Sequence, residues 1–529
     1  MAASAKDLEL RELKDLIKEL NKTIKSLNAT IEADRKEKAR MQEQIDYLTK
    51  KLFGTSSERS NSIPGQTSLF DEDEAAAQAS EEETIVVKEH TRKKKITAEE
   101  KYDKLPKEKV VIPLSDEERT CKVCGTELQK VGEELDHREV IFQPAKMKVI
   151  ECYTETWACP KCKQEAEKPV FVKSKAKKPL LPHSPASSSL VSWTEYQKFA
   201  NGLPFYRQEK DFLQCHAVIS RDAMANWTIR CAELYYRPML NYFHSELLKR
   251  MFIMADETRV QVLDEPGKAP ETNSYMWVYR SGEDGGKPFV IYRYTPTRAG
   301  ANAMEFLEGY DGYLEVDGYQ GYNKVKGIKR CCCWAHVRRY FRDSVPSGKE
   351  DDLSVPGVQA VVYINKLFDI ERDCKEKGYS FDKIREARQK KARPVIQAFW
   401  SWLATLHPDR NTKLDRAVNY ALNRKDYLET YLEDGRCSLS NNLSEQAVRP
   451  VTVGRKNYLF SQSVSGAEAN AAVYSLVETA KANGLNIYGY LKFLLDHRPS
   501  EKMTDEELEA LAPWNPKVNE AIEAELQQQ

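Results

Sequence analysis

The chain has 529 residues, more than one hydrophobic core usually organises, so a single small domain is excluded and three or more units are expected. Lysine plus arginine (81) equals aspartate plus glutamate (81), so nucleic-acid binding would depend on local basic patches. The apolar runs are shorter than the roughly 18 residues of a membrane span, and the first residues lack the apolar core of a signal peptide. We therefore expect a soluble, cytoplasmic protein without a membrane partner.

Residues 1–53 carry apolar side chains at alternating steps of three and four. The seam consists of Leu10, Leu13, Ile17, Leu20, Ile24, Leu27, Ile31, Met41, Ile45, Leu48 and Leu52. Isoleucine at the a positions and leucine at the d positions favour a parallel two-stranded coiled coil, whose seam Asp34 and Lys38 interrupt. We expect a dimerisation zipper; the alternative is an amphipathic helix that packs on its own chain.

Residues 54–105 change from acidic to basic. Acidic runs lie at 71–74 and 81–83, and few large apolar residues separate them, which predicts a flexible linker. The basic stretch after it contains Arg92, Lys93, Lys94 and Lys95. These side chains suit an arm that contacts DNA phosphates, although a solvated charge run has the same composition.

Two Cys-x-x-Cys motifs lie 34 residues apart, and their cysteines are Cys121, Cys124, Cys159 and Cys162. Two such turns supply the four thiolates of a closed tetrahedral zinc site. The spacing exceeds that of a short zinc ribbon, and predicted strands at 138–142 and 147–153 account for the extra length. We expect structural Zn²⁺ in a ribbon at 106–175; a redox dithiol or a chance pairing of motifs are the alternatives.

Residues 176–249 are predicted to form short helices, at 192–201, 205–213 and 220–234. Ser220 is expected to cap the third helix, and Arg221 follows it directly. This arrangement resembles a helix-turn-helix DNA reader, but plain packing of small helices would produce the same pattern.

After residue 250 the pattern changes to strands. They are predicted at 251–255, 258–263, 275–280, 289–294, 313–316 and 328–333, with a helix at 301–308. The segments before the helix count as a three-stranded meander, and two more strands follow at 313–316 and 328–333. This is the order of an RNase H-like sheet, in which the first strand and the fourth, 313–316, are neighbours. Asp256 is expected to end the first of these strands and Asp317 the fourth, so the two carboxylates would face each other.

A third carboxylate, Glu445, follows the capping residues at 440–442 and is expected on a helix. Three clustered carboxylates can hold two Mg²⁺ or Mn²⁺ ions, which suits in-line phosphodiester cleavage and strand joining. With 81 acidic residues, a chance triple is the alternative. Residues 346–436 are predicted to be a helical insertion, with Trp400 and Trp402 in its core rather than stacked on bases.

Several short motifs carry a family resemblance. They are Ala-Asp-Glu-Thr at 255–258, Val-Asp-Gly-Tyr at 316–319, Cys-Trp-Ala-His-Val-Arg-Arg at 333–339, the stretch at 441–450 and Gly-Arg-Lys-Asn at 454–457. With Leu-Pro-Phe-Tyr-Arg-Gln at 203–208 and Pro-Trp-Asn at 513–515, they make nearly the whole chain similar to insertion sequence 66 family transposases. Two departures are Ser440, where the family commonly has aspartate, and the Cys331–Cys333 triple.

The resemblance implies a DDE transposase whose triad is Asp256, Asp317 and Glu445. It implies duplex DNA as partner, both the terminal inverted repeats of the element and the target, a homodimer or higher oligomer, a nucleoid location and accessory proteins from the same element. Candidate DNA contacts are Arg92, Lys93, Lys94, Lys95, Arg207, Arg221, Arg449, Arg455 and Lys456. His336 and Arg339 are candidate accessory residues of the active site.

The expected architecture is a multidomain chain with an RNase H-like α/β catalytic domain. The units are a coiled coil (1–53), a linker (54–105), a zinc ribbon (106–175), a helix-turn-helix-like domain (176–249), the catalytic domain (250–345 and 437–484), its helical insertion (346–436) and a helical tail (485–529). Two other functions compete with transposition: a non-catalytic, domesticated DNA-binding protein, and a nuclease without strand transfer. An intact acidic triple favours the enzyme.

Overall fold

The computed structural model of the chain describes residues 147–154 and 178–527, and the backbone of four short strands outside them. The chain divides into two units, Met1–Glu139 and Val140–Gln529. The predicted coiled coil at 1–53 and the four predicted zinc ligands lie outside the described residues.

The four short strands form two small antiparallel pairs. In the first unit, β1 (Ile85–Val87) pairs with β2 (His90–Arg92), inside the segment expected to be a linker. In the second unit, β3 (Thr156–Ala158) pairs with β4 (Phe171–Lys173).

The prediction of a strand at 147–153 is wrong. Residues 147–154 form no strand, and the side chains of Val149 and Ile150 are 89% and 74% exposed. A run of apolar residues forms a strand only when a partner covers it, and no partner covers this run among the described residues.

One mixed sheet dominates the second unit. Its strands are β5 (Phe252–Asp264), β6 (Asn273–Ser281), β7 (Val290–Thr295), β8 (Tyr313–Val316), β9 (Lys329–Cys332) and β10 (Ser461–Ser463). The strand order is β7-β6-β5-β8-β9, in which β8 runs parallel to β5 and β9, and β10 pairs in parallel with the far end of β5. The predicted meander and the predicted contact between its first strand and the fourth are confirmed.

The expectation that Asp256 ends a strand is wrong. The segments predicted at 251–255 and 258–263 form one strand, because β5 pairs with β6 without a break from Ile253 to Gln261. The strand β5 pairs with β8 only as far as Met254, and with β10 from Val262. Asp256 therefore lies mid-strand, two residues beyond the last residue that pairs with β8.

Helices cover most of the remaining described residues. They are α1 (Ser188–Phe199), α2 (Phe205–Gln214), α3 (Arg221–Cys231), α4 (Arg237–Leu248), α5 (Gly300–Phe306), α6 (Trp334–Asp343), α7 (Pro356–Glu376), α8 (Phe381–Ala387), α9 (Arg393–Leu403), α10 (Lys413–Leu422), α11 (Lys425–Glu429), α12 (Asn442–Tyr458), α13 (Val464–Ala482), α14 (Ile487–His497), α15 (Asp505–Glu509) and α16 (Pro516–Gln527). Short π-helical turns join α3 to α4 and α8 to α9. No helix among these residues has the length and apolarity needed to cross a bilayer.

The two faces of the sheet bury separate cores, since successive side chains of a strand point to opposite faces. Ile253 and Ala255 pack with α1–α4, α13 and the C-terminal helices. Phe252 and Met254 pack with α6 and the helices of the predicted insertion. Trp400 is buried in this second core and Trp402 packs against it, which confirms their predicted structural role.

Candidate active site

Asp256 and Asp317 lie on the same face of the sheet. Met254 and Glu315 are paired in the parallel register of β5 and β8. Asp256 comes two residues after Met254 on β5, and Asp317 comes two residues after Glu315, directly past the end of β8. A step of two residues keeps a side chain on the same face, and neighbouring strands lie about 4.8 Å apart. The two aspartates therefore share the face that the predicted insertion covers, at the point where β8 ends.

Glu445 lies in the first turn of α12. The start of this helix is tied to β5 by Asn441, whose Nδ2 donates to the carbonyl of Ala255 over 3.3 Å. As predicted, the helix begins directly after the capping residues, with Asn441 at its N-cap position, although the Asn441 side chain makes no capping hydrogen bond. The buried Asn441 amide thus contacts the residue before Asp256, and that contact brings the start of α12 to the aspartates.

Helix α6 supplies two side chains to Glu445. Arg339 Nη2 donates to Glu445 Oε2 over 3.4 Å, and His336 Nε2 lies 3.4 Å from Glu445 Oε1. Burial lowers the pKa of His336, and the negative charge of Glu445 opposes that shift. Both predicted accessory residues are thus brought to the third carboxylate.

Negative charge is crowded at Asp256. Burial raises the pKa of its carboxyl well above the ordinary value, and the charges of Glu257, Asp317 and Glu445 raise it further. Like charges in a buried site cannot all ionise without a cation. The three predicted ligands are therefore close enough to interact electrostatically.

The oxygen atoms of these groups suit a hard divalent cation. Asp256 Oδ1 accepts from the backbone N–H of Glu257 over 2.8 Å, and Asp317 Oδ1 accepts from that of Tyr319 over 2.8 Å. Glu445 Oε1 is buried without a hydrogen-bond partner. Carboxylate oxygens are the ligands that Mg²⁺ and Mn²⁺ prefer, so the donor set fits the ion.

The three carboxylates do not converge on one point at metal-binding distance. Within the part of the chain that the structure describes, no three His, Cys, Asp or Glu side chains converge closely enough to hold an ion. The Glu445 carboxylate contacts the guanidinium of Arg339.

Two arginines that the sequence did not single out hold the Asp317 loop. Arg330 of β9 donates to the carbonyls of Asp317 and Tyr319, and Arg424 donates to the carbonyl of Gly318. Arg424 lies more than 100 residues from Asp317 in sequence, so local patterns carry no signal for this contact.

Five of the predicted DNA contacts lie on helices of the second unit. Arg449, Arg455 and Lys456 are exposed on α12, and Arg207 on α2 and Arg221 on α3 are exposed as well. The end of α12 lies against the turn before α2, since Asn457 Nδ2 donates 3.0 Å to the carbonyl of Gly202.

The other predicted DNA contacts belong to the N-terminal basic stretch. Arg92 ends β2 in the first unit, and residues 93–95 lie outside the described residues.

The predicted cap of α3 is confirmed. Ser220 Oγ accepts from the backbone N–H of Ala223 over 3.1 Å. Arg221, the first residue of α3, lies with Lys210 around the ring of Tyr206.

Comparison with known families gives four matches along the chain. Residues 183–469 match the family described as "Transposase IS66 family", and residues 475–514 match its "IS66 C-terminal element". Residues 118–163, which include all four predicted zinc ligands, match the "zinc-finger binding domain of transposase IS66". Residues 40–110 match "Transposase C of IS166 homeodomain".

Three relatives from Sinorhizobium fredii are named only as uncharacterized proteins. Protein y4qI is 30% identical over 342 residues, which is 62% of this chain and 62% of the relative, so the match spans less than two thirds of that protein. Protein y4jD is 28% identical over 79% of this chain and 82% of its own length. Protein y4hP is 27% identical over 89% of this chain and 87% of its own length.

Proposed function

The chain belongs to the transposase IS66 family, and from this membership we propose that it is a DDE transposase that cleaves and joins DNA. It would bind the terminal inverted repeats of its insertion sequence and catalyse metal-dependent cleavage and strand transfer into target DNA. The observation that carries the proposal is the grouping of Asp256, Asp317 and Glu445 around one end of β8. The strand order β7-β6-β5-β8-β9 supports an RNase H-like catalytic domain.

Asp256, Asp317 and Glu445 would hold two Mg²⁺ or Mn²⁺ ions. Such ions, when bound, activate the attacking oxygen and stabilise the leaving oxygen of an in-line displacement. Arg339 then offers its guanidinium to a DNA phosphate near Glu445, because arginine matches phosphate geometry with paired donors. His336, whose pKa is lowered by burial, lies 3.4 Å from the other oxygen of the Glu445 carboxylate and would help to orient it.

The N-terminal segments would bind and pair the element ends. The zinc-finger match supports structural Zn²⁺ held by Cys121, Cys124, Cys159 and Cys162. The predicted zipper would make the protein a dimer or larger oligomer, and α2–α3 would act as the helix-turn-helix-like reader. In this scheme the unit boundaries given above apply up to residue 484, and the protein works on chromosomal DNA in the cytoplasm.

Removing one ligand at a time tests the triad. Asp256→Asn, Asp317→Asn and Glu445→Gln should each lower cleavage and joining of labelled element ends by more than about 100-fold, beyond the loss typical of residues outside the ligand shell. Each change removes a negative ligand at nearly constant volume. Binding of the ends, measured by gel shift, should survive, because the predicted DNA contacts are other residues.

Asp311→Asn is the matched control, since Asp311 is exposed on the turn before β8. Full activity of Glu445→Gln in Mg²⁺, or loss of activity in Asp311→Asn, would show that the triad is assigned wrongly. A wild-type protein that binds the ends and never cleaves them would be the non-catalytic DNA-binding alternative. Cleavage without joining would indicate the nuclease.

A further inference from the structure

The predicted helical insertion contacts the Asp317 loop through the side chain of Arg424. Arg424 follows α10, and its Nη2 donates to the carbonyl of Gly318 over 2.7 Å. Its Nη1 donates back to the carbonyl of Tyr420 over 3.2 Å. The insertion therefore reaches the residue next to a candidate metal ligand.

The position of Arg424 is fixed by a stack of aromatic rings. The guanidinium carbon lies 3.9 Å from the centre of the Tyr420 ring. Tyr420 in turn stacks on Tyr340 of α6, with ring centres 4.3 Å apart and planes tilted by 22°. A planar guanidinium can stack and donate at the same time, which a lysine ammonium cannot do.

Three successive carbonyls of the loop are held by arginines. Arg424 donates to the carbonyl of Gly318, while Arg330 Nη2 donates to the carbonyls of Asp317 and Tyr319 over 3.1 and 2.9 Å. A loop whose backbone oxygens are all bound has little freedom to rotate. The direction of the Asp317 side chain follows from that of its backbone.

Gly318 is required for this approach. A β-carbon added to Gly318 would overlap Nε, Nη2 and Cζ of Arg424, so any larger residue must displace the arginine. The glycine of the Val-Asp-Gly-Tyr motif is thereby linked to a residue 106 positions away in the chain.

We propose that Arg424 is a positioning residue of the active site, which sets the orientation of Asp317 through the carbonyl of Gly318. The insertion then contributes to catalysis, because it places the Arg424 guanidinium beside the Asp317 loop. The inference rests on the proposed function, because it assigns Arg424 to the metal-binding geometry of the same carboxylates. Groups outside the ligand shell that orient ligands typically change metal affinity or activity by about 10–100-fold.

The first test measures Mn²⁺ affinity. Arg424→Ala should raise the half-saturating Mn²⁺ concentration by roughly 10–100-fold, both for cleavage of element ends and for binding of Mn²⁺ alone, followed by the electron paramagnetic resonance of the free ion. DNA binding should be unchanged. Arg416→Ala is the matched control, because Arg416 is an exposed arginine on α10 whose Nε donates to the carbonyl of Thr412, the N-cap residue of that helix.

The second test is a double-mutant cycle. Gly318→Ala should weaken Mn²⁺ binding as much as Arg424→Ala does, and the double variant should be no worse than either single variant. Additive losses would overturn the proposal, because they would show that Gly318 acts independently of Arg424. If thermal melting shows that Arg424→Ala is unfolded, Arg424→Lys and Gly318→Ala carry the test, and Arg424→Lys should recover only part of the affinity.

The outcomes separate this inference from the proposed function. A wild-type protein whose Mn²⁺ binding equals that of Asp317→Asn would overturn both. Loss of binding in Asp317→Asn, with wild-type affinity in Arg424→Ala, would overturn the positioning role alone.

Discussion

Glu257 is adjacent to Asp256 but points to the opposite face of β5. It is almost completely buried there, and it accepts hydrogen bonds from Arg298 and, over 2.8 Å, from Tyr322 Oη. Its negative charge already has a protein partner, whereas the Asp256 carboxylate lies among other acids. Alternation along one strand thus separates a structural acid from a candidate ligand.

Glu257→Gln should therefore keep metal-dependent cleavage within a few-fold of the wild type. It should lower the free energy of unfolding by about 1–2 kcal/mol, because hydrogen bonds to a charged group become bonds to a neutral amide. Urea unfolding and the cleavage assay together check this prediction. A variant as inactive as Asp256→Asn would move Glu257 into the ligand set.

The sequence predicted the acids of the site better than their surroundings. Asp317 at the end of β8 and Glu445 on a helix follow from local strand and helix patterns. Asp256 was misplaced at a strand end, because the unbroken pairing with β6 that extends β5 is a long-range property. The role of Arg424 depends on how the helices after β9 pack, which residues near Asp317 do not encode.

Helix α1 contains a buried acid that makes stability depend on pH. Glu195 is fully buried, with Oε2 accepting from Tyr236 Oη over 2.7 Å and Oε1 without a partner. Burial raises the pKa of Glu195 to about 8, against the opposing effects of Tyr236 and the charge of Lys198. Burial also lowers the pKa of Lys198 to about 8.

The contribution of Glu195 to the free energy of unfolding should be greatest near pH 4. It should fall as the pH rises to about 8, because the folded state keeps a proton that the unfolded state releases. Relative to the wild type, Glu195→Gln should gain up to about 1.4 kcal/mol in unfolding free energy per pH unit in that window. Urea melts at pH 5, 6.5 and 8 measure the difference. For Lys198 the free energy of unfolding should instead rise with pH, and only above about pH 8, because there the folded state loses a proton that the unfolded state keeps.

Glu233→Gln serves as the control for this pH series, since Glu233 is exposed on the turn that follows α3. A constant difference for Glu195→Gln, or one that shifts in favour of the wild type as the pH rises, would show that Glu195 is ionised in the folded protein.

Elements were predictable where the periodicity of one segment decides its structure. The helices α2, α3 and those between residues 356 and 432 fall where apolar spacing predicted them. The prediction of a strand at 147–153 was wrong because its apolar side chains have no partner strand among the described residues. A strand needs a neighbour that its own sequence does not specify.

At the scale of the molecule, zinc should stabilise its own module and not the catalytic core. Cys159→Ser removes one of four predicted thiolates, so the protein should lose its zinc and the fold of residues 106–175. Metal analysis and circular dichroism test this, with Cys152→Ser as control, because Cys152 is exposed and free. Full zinc content in Cys159→Ser would reassign the ligands.

The C-terminal helices share a core with residues 178–249. Leu491, Leu494 and Leu495 of α14 are completely buried in the same cluster as Val191 and Phe199 of α1. Polar contacts reinforce the packing, since Ser188 Oγ donates to Asp496. The segment expected to be a tail is therefore part of the central packing of the second unit.

Deleting residues 485–529 should consequently unfold the helical segment before β5, although the deletion is distant in sequence. Each buried leucine contributes about 1.5–3 kcal/mol, so losing the three on α14 alone removes an amount comparable to the whole stability of a typical domain. A fragment of residues 178–529 should melt in one cooperative transition by calorimetry, while 178–484 should be insoluble or lack a transition. If the shorter fragment melted as cooperatively as the longer one, the C-terminal helices would be a dispensable tail, and residues 178–249 would owe their stability to the sheet and α13.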